Sequence, residues 1–221
     1  RYPDLGGVCL NVGCIPSKAL LHAARVIDEA AHASALGIDF GEPKIDLSKL
    51  RSFKQRAVGQ LTKGLAGMAK QRGVRVVHGE GHFVSPHELE IAGDAGTQLL
   101  QFGQAIIAAG SQAVKLPGFP WEDPRVMDST DALELGEVPG KLLVVGGGII
   151  GLEMACVYDA LGSEVTVVEL LDQLMPGTDR DLVRPLEQRI GKRYGGIHLK
   201  TKVAKVEAKA DGLLATFEGD K

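Results

Sequence analysis

The sequence predicts an α/β fold in which parallel strands alternate with helices, and three observations carry that expectation. Residues 141–145, Lys-Leu-Leu-Val-Val, form a short apolar strand that runs straight into Gly146-Gly147-Gly148-Ile149-Ile150-Gly151 and then a helical stretch. A second strand, Glu164 to Val168, closes that unit after Gly162. Near the start, Cys9 and Cys14 stand just ahead of small and apolar residues that recur at helical spacing from Ala19 to Leu36.

The elements follow in order. Pro16 suits a first helical turn, where its missing N–H would have no partner anyway, and Gly37 offers a C-cap to the helix it opens. After a loop at 38–44, Asp46 is a plausible N-cap. Leu47, Leu50, Phe53, Ala57, Val58, Leu61, Leu65 and Met68 then make one apolar stripe of a second helix, closed by Gly73. Lys49, Arg51, Gln55, Arg56, Lys63 and Lys70 are expected on its solvated face. Strands are expected at 74–77, 82–84, 88–91 and 99–102, and a buried strand at 104–109 ending in the turn at Gly110-Ser111. Residues 112–139 read as a connection with a short helix near Asp131–Leu135; beyond 169 come a helix over 179–192 and strands at 197–199, 203–208 and 213–217.

The glycine turn carries chemistry because its context is complete: strand, glycines, helix, second strand and a terminal acid, in that order. Gly146 permits the tight turn, Gly148 lets backbone approach a pyrophosphate, and Gly151 lets helix and strand pack closely. The helix expected from Ile150 to Leu161, just after Ile149, presents free N–H groups and the positive end of its dipole to an anion. Glu169 stands where an adenosine ribose would offer its hydroxyls. A carboxylate there would repel a 2′-phosphate, and no Arg follows in Leu170-Leu171-Asp172, so NAD is expected over NADP.

Bulk properties narrow the classes. Of 221 residues, 44% are hydrophobic and the net charge is −3, the composition of an ordinary soluble protein. That balance argues against nucleic acid and a polybasic membrane surface, and no apolar run reaches spanning length. Glycine, at 29 of 221, is about twice its usual ~7%. The six histidines share no metal spacing, and Cys156 reads as a small buried side chain in a helix, so no metal site is expected.

Cys9 and Cys14 invite three readings: half a zinc site, an inert disulfide or a reactive pair. The zinc reading lacks a second cysteine pair. With three cysteines and no secretory signal, a reducing, cytoplasmic location is expected, where lasting disulfides are rare and redox-active ones are the usual exception. Cys14 lies where a helix begins, so the dipole would favour its thiolate.

Gly6-Gly7-Val8-Cys9-Leu10-Asn11-Val12-Gly13-Cys14-Ile15-Pro16-Ser17-Lys18 resembles the redox-active segment of the flavin-dependent pyridine nucleotide–disulfide oxidoreductases. It is most similar to the branch that oxidises dihydrolipoamide; glutathione- and trypanothione-reducing relatives tend to read Val-Asn-Val-Gly-Cys-Val-Pro-Lys-Lys here, and mercuric reductase sits closer. The resemblance implies an α/β, FAD/NAD-binding Rossmann-like two-domain architecture: residues 1–138 part of an FAD-binding domain with the disulfide helix, and 139–221 the first part of an NAD-binding domain. It implies electron exchange between a dithiol and NAD through FAD, with Cys9 the exposed interchange thiol and Cys14 the shielded thiolate beside the flavin. Lys18 and Glu153 are expected to pair next to the flavin ring, with Gly110 in the turn that closes the first part of the flavin domain, though Ala109 stands where the family carries threonine. Ile149 replaces the family's usual aromatic.

The resemblance further implies a homodimer and, as partner, the lipoyl domain of a 2-oxoacid dehydrogenase acyltransferase. It also leads to the expectation that the chain is cut at both ends, since the family's flavin-binding glycine turn would precede residue 1, and the Gly-Asp segment, interface domain and His–Glu base would follow residue 221. A sister reductase acting on mercury, or a catalytically silent NAD-binding module, are the alternatives.

Overall fold

A computed structural model describes residues 4–94 and 96–219. The chain ends at 1–3 and 220–221, on which the expectation of a cut chain partly rests, lie outside the described residues. The first elements are a short helix, α1 (Gly7–Val12), and a long one, α2 (Cys14–His32), joined at Gly13. A 3-10 turn over Ala33–Leu36 ends at Gly37, whose φ of 83° is the left-handed conformation that stops the helix. The helix α1 was not legible as such: six residues carry too little periodicity to separate a turn of helix from a loop.

Helix α3 (Leu47–Gln71) starts where Asp46 accepts the Lys49 N–H at 3.0 Å. Its buried line differs from the expected stripe. Lys54, Val58 and Thr62 face inward, whereas Phe53, Leu61 and Met68 are exposed. The reason lies in α4 (Ser129–Glu134), held by a capping box between Asp128 and Asp131. Lys54 Nζ donates to the Leu133 carbonyl at 2.6 Å, and Arg51, expected in solvent, donates to the Leu135 carbonyl at 2.8 Å. Two cations of α3 thus satisfy the orphan carbonyls where α4 ends.

The middle of the chain is a three-stranded antiparallel meander, β1 (Glu80–Ser85), β2 (Glu88–Gly93) and β3 (Gly96–Gln101). Two expected strands do not form. Residues 74–77 and 104–109 are irregular, and Ile106 and Ile107 are 96% and 76% exposed. A strand exists only through a ladder of bonds to a neighbour. Among the described residues neither run has one.

The second half is built as expected. β4 (Lys141–Val145) and β5 (Glu164–Val168) pair in parallel from Lys141↔Glu164 to Val145↔Val168, and β5 pairs in parallel with β6 (Gly196–His198), giving the order β4-β5-β6. Helix α5 (Ile149–Ala160) crosses from β4 to β5, and α6 (Arg180–Ile190) from β5 to β6. β7 (Thr201–Ala208) and β8 (Leu213–Gly219) form an antiparallel ribbon, against which the connecting segment rests: Val206 N–H donates to the Gly118 carbonyl at 3.0 Å. Among the described residues no helix is long and apolar enough to cross a membrane.

Two cores meet at α5. Leu152 and Ala155 pack with Val165, Val167, Leu174, Val183 and Ile190 over the parallel sheet. Met154, Val157 and Tyr158 pack with Leu20 of α2 and with Ala132, Leu133 and Leu135 around α4. Burial on both sides explains why α5 is apolar around its circumference. Cys156 is the partial exception, half-buried, with Sγ 3.4 Å from the Tyr194 hydroxyl. The Tyr158 hydroxyl donates to the Ala132 carbonyl at 2.9 Å, and burial raises its pKa to about 12.

Polar contacts pin α2 to α5 at the far end of their contact. Arg193, just past α6, donates to Asp28 Oδ2 of α2 at 2.6 Å and pairs with Asp159 of α5. The bond from Arg193 holds the Asp28 carboxyl below its ordinary value, whereas burial raises that of Asp159. Arg193→Met is expected to cost about 1–3 kcal/mol in urea unfolding, because it leaves Asp159 half-buried without its cation. Adding Asp159→Asn should recover part of that loss. The sign of the pH dependence follows from Asp28. Its depressed native pKa contributes stability that is complete above the unfolded value of about 3.9 and is lost as the pH falls through the native one. The acid side of the stability profile should flatten in Arg193→Met.

Candidate redox and nucleotide-binding site

A disulfide joins Cys9, in α1, to Cys14, the first residue of α2. No side chain caps α2, so its first N–H groups have no side-chain acceptor beside Cys14. Both cysteines are exposed among the described residues, and the shielding expected at Cys14 was that of a flavin beside it. The described residues place no cover over Cys14, and what separates the two sulfurs is position along helices, not burial. Gly110, at φ 76°, lies close to this segment: a Cβ added there would stand 3.5 Å from Val8 Cγ2.

One turn into α2, two consecutive side chains turn to the same partner. Ser17, which is buried, donates its hydroxyl to Glu153 Oε2, and Lys18 Nζ meets Glu153 Oε1 at 2.5 Å. Glu153 lies in the second turn of α5, 135 residues from Lys18, and the fold brings its carboxylate against Ser17 and Lys18 of α2. Lys18 itself is largely exposed, so the pair is worth little as a stabilising bridge. Ser17 escaped the sequence reading because a serine in a first turn ordinarily signals nothing beyond local bonding.

The glycine turn sits at the C-terminal ends of β4 and β5, where open α/β sheets take ligands. Gly146 has φ 106°, a conformation open to glycine and rarely to others. A Cβ on Gly151 would run into the Gly146 carbonyl oxygen. A Cβ on Gly148 would meet nothing within 4 Å. Gly148 therefore borders open space at the uncapped start of α5, the cradle that a pyrophosphate would fill. Ile149, 62% exposed, and Ile150 flank it on the surface.

Glu169 directly follows β5 and is buried; its Oε2 accepts the Gly147 N–H at 2.7 Å and its Oε1 the Leu171 N–H at 2.8 Å. Arg180 pairs with Asp172, and Asp172 follows Glu169 by three residues. Gly147 was passed over in sequence as the filler of the turn, yet a Cβ there would collide with Leu174 and crowd Glu169. These residues fit a pyridine dinucleotide. Toward a flavin the described residues offer one edge, formed by the disulfide, Lys18 and Glu153, and among them no second glycine turn of this kind.

Two outcomes follow from the glycines. Gly148→Ala should leave the unfolding midpoint nearly unchanged while weakening NAD binding more than tenfold in a titration. Gly151→Ala should instead destabilise the fold by roughly 2–4 kcal/mol, since backbone must shift to admit the methyl. In the reduced protein, iodoacetamide should alkylate Cys14 at lower pH than Cys9, because Cys14 opens the longer helix.

The family described as pyridine nucleotide-disulphide oxidoreductase matches residues 3–221. The dihydrolipoyl dehydrogenase of Vibrio cholerae is 58% identical over 219 residues, covering 99% of this chain and 46% of that protein. That of Haemophilus influenzae is 56% identical over 220 residues, again 99% of this chain and 46% of that protein. The crystal structure of LpdA from Mycobacterium tuberculosis superposes with a TM-score of 0.87 at 25% identity, covering 100% of this chain and 49% of its own. The chain thus spans a little under half the length of the curated relatives it matches. The resemblance first drawn from the cysteine segment extends along essentially every residue, and this chain belongs to the pyridine nucleotide-disulphide oxidoreductase family.

Proposed function

We propose that this chain supplies the disulfide and the NAD-binding portion of a flavoprotein that oxidises protein-bound dihydrolipoamide. One observation carries the proposal. The helix that begins at Cys14 of the disulfide and the helix that follows the glycine turn are tied to each other by Ser17 and Lys18 on Glu153, and this supports reading the disulfide and the glycine turn as parts of one enzyme. The division at residue 138 belongs to the same proposal, with 1–138 on the flavin side and 139–221 on the nicotinamide side. It is supported by the complete strand–turn–helix unit that begins at Lys141.

The chemistry in the chain's own residues is disulfide exchange. A substrate thiolate attacks Cys9 Sγ, the Cys9–Cys14 bond breaks, and Cys14 leaves as a thiolate at the start of α2. The second substrate thiol, deprotonated, attacks the substrate sulfur of the mixed disulfide. The cyclic substrate disulfide leaves and Cys9 is freed as a thiolate. Two electrons have entered the protein, and two protons have left the substrate. Bound FAD and NAD supply the onward hydride chemistry; the protein positions them. Cys14, Lys18, Glu153, Gly110 and Ile149 are the residues proposed for the flavin side. Gly146, Gly148, Ile150, Gly151 and Glu169 are proposed for the nucleotide, and NAD over NADP follows from the carboxylate of Glu169.

The lipoyl domain of a 2-oxoacid dehydrogenase acyltransferase is the proposed substrate carrier, with a homodimer as the working unit and the cytoplasm as its compartment. The relatives in Vibrio and Haemophilus are named dihydrolipoyl dehydrogenases, which supports dihydrolipoamide as the substrate group. The test uses the protein with FAD and anaerobic dihydrolipoamide. A long-wavelength absorption band should appear, vanish in Cys14→Ser, and discharge on adding NAD with formation of NADH. Bound flavin that dihydrolipoamide fails to reduce, or turnover that persists in Cys9→Ser, would overturn the proposal.

A further inference from the structure

Glu169 is only 7% exposed, and among the described residues it forms no ion pair. Its charge is met by backbone alone: the N–H of Gly147 at 2.7 Å on one oxygen and that of Leu171 at 2.8 Å on the other. The same segment closes on itself a second time. The Met175 N–H donates to the Gly147 carbonyl at 2.8 Å, and the fully buried Leu174 packs where a Cβ of Gly147 would stand. Residues 169–175 and Gly147 therefore form a ring, and Glu169 closes it from within.

A carboxylate has about four lone-pair sites, of which two are taken here, so a ribose could still be bound by the others. From this geometry, and resting on the reading of 146–151 as a dinucleotide cradle, we infer that Glu169 is a positioning residue for the glycine loop. It shapes the loop before any nucleotide arrives, and its removal weakens every dinucleotide, the 2′-phosphorylated ones included. A residue that acted only on the ribose would behave differently: its removal would relieve repulsion and improve NADP binding.

Glu169→Gln separates the two. Glutamine presents one acceptor oxygen, and its amide nitrogen would face a backbone N–H, donor against donor. In the nucleotide-free protein, amide hydrogen exchange followed by NMR should become at least tenfold faster at Gly147, Leu171 or both, with Val165 and Val167 of β5 unchanged as the control for folding. Calorimetric titration should show NAD and NADP both weakened at least tenfold. Wild-type protection at both amides, or tighter NADP binding in the variant, would overturn the inference. Should Glu169→Gln lose the β5 control, Glu169→Asp serves. It is one methylene shorter and can reach only one of the two amides, so protection should fall at one and hold at the other; protection kept at both would again overturn the inference. If the unaltered protein binds neither nucleotide, the cradle reading fails, and the exchange rates alone decide the positioning role.

Discussion

The packing of α2 against α5 is the contact on which the rest depends. It is apolar through its middle, where Leu20 meets Met154, Val157 and Tyr158, and polar at both ends. At one end Ser17 and Lys18 hold Glu153; at the other Arg193 draws Asp28 and Asp159 together. An apolar contact alone fixes distance better than register, because side chains of similar volume can repack when helices slide. Hydrogen-bonded carboxylates are directional and leave unpaired charge if displaced. The polar ends therefore set which turn of α2 faces which turn of α5, and with it the position of Cys14 relative to the glycine loop.

The arrangement has an electrostatic consequence. Lys18 with Glu153 and Asp28 with Asp159 set the two helices running in the same sense, so their uncapped N-termini lie toward one side of the molecule. Each carries partial positive charge from unsatisfied N–H groups. Such a start favours a thiolate at Cys14 and an anion at Gly148, while one turn further along Lys18 balances the charge of Glu153. The disulfide and the glycine turn thus both stand at the start of a helix that no side chain caps.

Farther from the site, support comes from side chains whose chemistry conceals their position. Lys54 and Arg51 project from α3 onto the carbonyls at the end of α4, and α4 leads through 135–140 into β4. The long aliphatic stem of lysine buries readily while its ammonium reaches for acceptors, so a charged residue can occupy an inward position of a helix. The start of β4, and with it the glycine turn, is fixed partly from the other half of the chain.

The local devices were legible in the sequence because each is specified by neighbours along the chain. Asp46 as a cap, Gly37 as a stop, the strand–turn–helix from Lys141 and the paired cysteines before Pro16 all rest on interactions spanning a few residues. The glycine turn belongs to this group, since Gly146, Gly148 and Gly151 differ in what surrounds a missing Cβ within one short stretch. What the sequence misjudged shares one cause: partners distant in sequence. The runs 74–77 and 104–109 have strand composition, but a strand requires a ladder, and no neighbour meets them among the described residues. The apolar stripe of α3 was assigned from hydropathy; of it Val58 is buried, and Lys54 and Thr62, which hydropathy left out, turn inward beside it. Tertiary structure alone decided that Ser17 reaches Glu153, and that Glu169, expected to meet a ribose, accepts the Gly147 and Leu171 N–H groups. Those outcomes depend on where separate elements meet in space, a matter that spacing along the chain does not encode.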